Sequence, residues 1–161
     1  MKEKDAVTAL ADRYDQVIGV DTHARTHTYA VLATSTGRTL DSATFPTTAN
    51  GMSRALALMH RRAPGRVLVA IEGASSYGSN LTRAVVAAGI DVCDVRPPKR
   101  ASRAGRGKSD EIDAITAART ALAMEFEELT TPRSDGLRAR CGCYWWPGKR
   151  WIVAGQLNET R

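Results

Sequence analysis

The stretch "QVIGVDTHARTHTYAVLATSTGRTLDSATF", residues 16–45, decides the fold. Val17 to Asp21 is a short apolar run, Thr28 to Ala33 a second and Thr39 to Phe45 a third, with "STGR" as the turn signal between the last two. Such runs joined by short polar connections predict three antiparallel strands, because parallel neighbours need long crossovers. Downstream the period changes. "TANGMSRALALMHRRA" offers Thr48 and Asn50 as caps and places Met52, Leu56 and Met59 at helical spacing before Pro64 and Gly65 stop it. "RVLVAIEG" is a continuous apolar run of the kind buried on both faces, and it ends on Glu72. A helix over Ser79–Ala88 closes on Gly89, and "IDVCDV" gives another strand before Pro97 and Pro98 break regular structure. Ser109 can cap a third long helix from about Asp110 to Met124. The order βββαβαβα predicts an α/β fold, a mixed sheet with helices packed on it.

A chain of 161 residues fits one domain with a full core. Its composition, 43% hydrophobic and 25% charged, is ordinary for a globular protein. No apolar stretch approaches the roughly 18 residues of a membrane span, and "MKEKDAVTALADRYDQ" lacks the apolar segment of a signal peptide, so the expected location is the cytoplasm, with no membrane partner. Cys93, Cys141 and Cys143 are odd in number and lack a second Cys or His pair, which predicts free thiols rather than a zinc site. The net charge is +6, and its distribution says more than its sum. Arg96, Lys99, Arg100, Arg103, Arg106 and Lys108 form a basic run without a single acid, the footprint of a polyanionic partner. Lys108 is placed to hold a phosphate as a point charge, although a solvated loop end asks for the same residue.

Four acids follow or face that run. Asp21 ends the first strand, where a turn would also favour it. Glu72 ends a buried strand, a costly position for an ionised group that nothing pairs. Asp110 and Asp113, three apart, share one face of a helix start, where the helix dipole welcomes acids whatever the function. If the first and fourth strands lie side by side, and the helix after the fifth strand crosses the same edge, four oxygen ligands converge. Such a cluster repels itself without a cation, and Mg2+ or Mn2+ is the usual resolution. Two such ions roughly 4 Å apart can clamp the attacking and leaving oxygens of a phosphoryl displacement. His23 and His27 lie close by in sequence and could touch a substrate, but they are read here as the polar face of a hairpin.

"VIGVDTHARTHTYAVL", "VAIEGASSYG" and "VRPPKRASRAGRGKSDEIDAITAA" together resemble the N-terminal domain of DEDD transposases of the IS110 class. The resemblance covers roughly residues 16–138, leaving 1–15 as an N-terminal tail. It implies the ribonuclease-H-like fold of RuvC, with Asp21, Glu72, Asp110 and Asp113 as a catalytic, metal-binding tetrad that takes Mg2+ or Mn2+. It further implies DNA transposition: cleavage and rejoining of DNA, with a structured guide RNA and a homo-oligomeric full-length protein. In that family a second domain supplies a catalytic serine, and 161 residues are too few to hold it, so the isolated chain is expected to be inactive. A stand-alone Holliday-junction-resolvase-like nuclease and a non-catalytic nucleic-acid-binding remnant are the alternatives. A sugar-kinase or actin-like phosphate loop is disfavoured, because Thr22 and His23 stand where those families place glycine.

From Arg138 onward the texture changes. Residues 139–161 hold all three tryptophans and two of the three cysteines without a readable period. A stacking platform for single-stranded nucleic acid is one reading. The preferred one is translation out of frame. Tryptophan has only the codon TGG, so "YWWP" shifted by two bases reads Leu-Val-Ala, part of an amphipathic helical pattern.

Overall fold

The apolar runs pair into a five-stranded sheet. The computed structural model describes residues 9–96 and 109–132, together with the backbone of two short strands at 144–146 and 149–152. Within the sheet, β1 (Gln16–Thr22), β2 (Thr26–Ala33) and β3 (Thr39–Pro46) form the antiparallel meander, and β4 (Val67–Glu72) and β5 (Asp91–Val95) extend it in parallel. The spatial order is β3-β2-β1-β4-β5, so β1 and β4 are neighbours at the centre, as the ribonuclease-H-like expectation requires. Both are apolar on both faces, as fully covered strands should be.

Alternation sends Ile18, Val20, Val69 and Ile71 to one face, where α2 (Ala49–Arg62) and α3 (Ser79–Ala87) cover them with Leu58, Met59, Leu81 and Val85. Val17, Leu68, Ala70 and Cys93 go to the other, under α4 (Asp110–Leu122). The Thr48 hydroxyl accepts from the Gly51 N–H and the Ser109 hydroxyl from the Ile112 N–H, so both polar caps act as their residue types suggest. Gly89, just past α3, has φ of 75°, the left-handed conformation that ends helices on glycine.

Two features lie outside the expected pattern. A short helix, α1 (Leu10–Arg13), precedes β1, and Leu10 and Tyr14 are buried in the α4-side core. The Tyr14 hydroxyl donates to Asp91 Oδ2 at 2.9 Å, tying the chain before β1 to the start of β5. Packing therefore begins ahead of Gln16. Beyond α4, β6 (Tyr144–Trp146) and β7 (Lys149–Ile152) pair as a separate antiparallel ribbon. Otherwise the segment read as out of frame lies outside the described residues. Cys93 is a buried free thiol, with burial and the nearby Asp94 charge pushing its pKa up to about 12, whereas Cys141 and Cys143 lie outside the described residues. Among the described residues no helix is long and apolar enough to cross a membrane.

Candidate metal centre

Asp21 is one residue beyond Val20, which pairs in parallel with Ile71, so Asp21 and Glu72 end adjacent strands side by side. By alternation both belong to the α4 face. Gly19, two residues earlier on that face, lets the helix come close: a Cβ there would stand 2.0 Å from Ala114 O and 2.5 Å from Ala118 N. The facing helix surface is Ala114, Ala117, Ala118 and Ala121, all buried. Small residues on both sides thus lay the first turn of α4, with Asp110 and Asp113, against the end of β1.

There the ligand atoms gather. One ligand atom each from Asp21, His23 and Asp110 lies within 4.8 Å of the others. His23 Nε2 is 2.9 Å from Asp21 Oδ2 and 3.6 Å from Asp110 Oδ1. Asp21 is 6% exposed, and burial raises its pKa; His23 opposes that shift, while the charges of Asp113 and Asp110 add to it. Asp113 thus acts on Asp21 through its charge. At Glu72 the backbone is fixed by the Thr22 hydroxyl, which donates to its carbonyl at 2.6 Å and joins the ends of β1 and β4. Asp94, another acid near this edge, alternates to the opposite face and accepts from the Ala74 N–H at 3.3 Å. A buried Asp21 facing the exposed Asp110 carboxylate, with an imidazole beside both, forms a donor set that fits a divalent cation.

Of the two histidines, His23 is exposed at the hairpin as expected, and His27 is not. His23 turns back onto Asp21, and no spacing rule singles it out. His27 is 1% exposed, because it pairs with Thr22 and Phe45 in neighbouring strands and faces the α2 side of the sheet. Neither of its ring nitrogens has a hydrogen-bond partner among the described residues. Of the basic run, Arg96 is exposed at the end of β5, and Lys99, Arg100, Arg103, Arg106 and Lys108 lie outside the described residues.

The signature of the IS110-class DEDD transposases, described as transposase, matches residues 18–139. The chain belongs to this DEDD transposase family. No curated protein matches it. Among solved structures, this DEDD transposase chain is similar to T. thermophilus RuvC in complex with a Holliday junction substrate. Identity there is 20%, over 66% of this chain and 92% of that one, with a TM-score of 0.49. It is also similar to the zinc-bound large terminase nuclease of a thermophilic phage. In that case identity is 18%, over 66% and 81% of the two chains, with a TM-score of 0.48.

Proposed function

We propose that this chain is the metal-binding, nuclease-like part of a transposase, acting on DNA phosphodiesters with Mg2+ or Mn2+ held by Asp21, Glu72, Asp110 and Asp113. The observation that carries the reading is the meeting of Asp21, from the central strand, with Asp110, from a helix almost a domain's length away in sequence. A strand-end acid and a first-turn acid repel each other unless positive charge lies beside them, and a divalent cation next to the His23 ring would supply it. Family membership supports the same chemistry.

The division of labour follows from the residues. Asp21 is fixed by strand pairing and supplies the rigid ligand, whereas Asp110 and Asp113 ride on a helix whose first turn Ser109 caps. Glu72 supplies a carboxylate from the neighbouring strand end. A bound divalent cation supplies Lewis-acid charge opposite a phosphate oxygen. Arg96, Lys99, Arg100, Arg103, Arg106 and Lys108 hold the phosphate backbone of the DNA, or of a guide RNA.

The test uses the 161-residue chain with branched and linear DNA, with and without Mg2+. Binding that weakens steeply with salt and survives Asp21→Asn, together with divalent-ion binding lost in Asp21→Asn, is the expected result. Six phosphate contacts correspond to a log–log salt slope of about −5. Salt-sensitive binding with no divalent-ion binding at all would leave only the non-catalytic nucleic-acid-binding reading.

A further inference from the structure

The site contains a nitrogen donor that the acidic tetrad does not include. His23 follows β1 in the tight connection to β2, where its backbone N–H donates to Thr26 O at 3.0 Å. That bond closes the hairpin and returns the ring over the strand end, with Nε2 at 2.9 Å from Asp21 Oδ2 and 3.6 Å from Asp110 Oδ1.

These separations can be compared with a coordination shell. Donors about 2.1 Å from an octahedral ion stand about 3 Å apart when adjacent and about 4.2 Å apart when opposite. The His23–Asp21 distance of 2.9 Å matches an edge, and the 3.6 Å to Asp110 lies between the two limits. The ring is 45% exposed, open enough to admit an ion, whereas Asp21 beneath it is 9% exposed by its side chain.

The donor's chemistry changes the choice of ion. Carboxylate oxygens suit Mg2+ and Mn2+ alike, whereas imidazole adds affinity for first-row transition ions and little for Mg2+. We infer that His23 Nε2 is a direct ligand that makes this site select a transition-metal divalent cation, manganese above magnesium; the inference rests on the metal-site reading given above. His23 then has a task that oxygen ligands cannot perform, and the site is a mixed nitrogen–oxygen centre.

Manganese is itself the probe. Mn2+ is titrated into the full chain by electron paramagnetic resonance, and the bound ion is then examined by electron spin-echo modulation for directly coordinated 14N. The expected result is bound Mn2+ with an imidazole 14N coupling, lost in His23→Ala and retained in His60→Ala. Competition with Mg2+ should show the Mn2+ preference falling roughly tenfold in His23→Ala, within the range for removal of a metal-supporting group. Bound Mn2+ without 14N coupling in the unmodified chain, or coupling that survives His23→Ala, overturns the assignment of His23 and leaves the carboxylate site standing. Absence of Mn2+ binding, or binding unaffected by Asp21→Asn, overturns the metal-site reading and this inference with it.

Discussion

Burial and two facing carboxylates hold the Asp21 pKa above its ordinary value despite the His23 ring beside it. An unfolded chain releases that proton near pH 3.9, about the ordinary value for an aspartate, and the folded chain releases it at higher pH. Stability conferred by this group is therefore lost as pH rises through that window, and it stays lost at neutrality. Asp21→Asn should raise the melting temperature of the chelator-treated chain at pH 7 by ~2–4 °C. A lower melting temperature would show that the carboxylate is not under strain. His27 has the opposite sign. Burial lowers its pKa, so the folded state keeps the ring neutral while the unfolded state takes a proton below about pH 6.5. Its share of stability is present above that pH and declines as pH falls through the window. Urea titrations of His27→Leu at pH 7 and pH 5 should show a smaller loss between the two than the unmodified chain shows.

Helix α4 carries half of the proposed acidic tetrad, and its placement depends on one cap and one glycine. Ser109→Ala should cost about 1 kcal/mol in urea unfolding. It should also weaken Mn2+ binding by roughly tenfold, since the first turn holds Asp110 and Asp113. Gly19→Ala is harsher. The new methyl would meet backbone atoms of α4, and such overpacking costs about 3 kcal/mol. Unchanged unfolding in Gly19→Ala would mean that α4 docks elsewhere. The strands and caps were legible because period-two and period-3.6 patterns, Thr48 and Ser109 are local signals. The meeting of Asp21 with Asp110 was legible only through topology, by placing β1 beside β4. α1 was not legible. Its four residues carry no period, and Leu10 and Tyr14 are fixed by partners such as Asp91 far along the chain. His27 was misread for a similar reason: its surroundings are set by the strands on either side of it. His23 is one polar hairpin residue among several until α4 arrives beside it.

Because a cation would bind the folded state alone, the whole domain should gain stability from it. At a hundredfold excess over its dissociation constant the gain is about 2.7 kcal/mol. Scanning calorimetry should show a rise of several degrees with Mn2+, reversed by chelator and absent in Asp21→Asn. The contact of Gly19 with Ala114 and Ala118 also governs when this binding becomes possible. During synthesis β1 leaves the ribosome early and α4 late, with the rest of the sheet between them. Until α4 docks, Asp21 stands at an open strand end with only Glu72 of the neighbouring strand beside it. A nascent or proteolysed chain lacking α4 would keep most of its sheet but lose Asp110 and Asp113, so tight cation binding reports completion of the fold and not its onset.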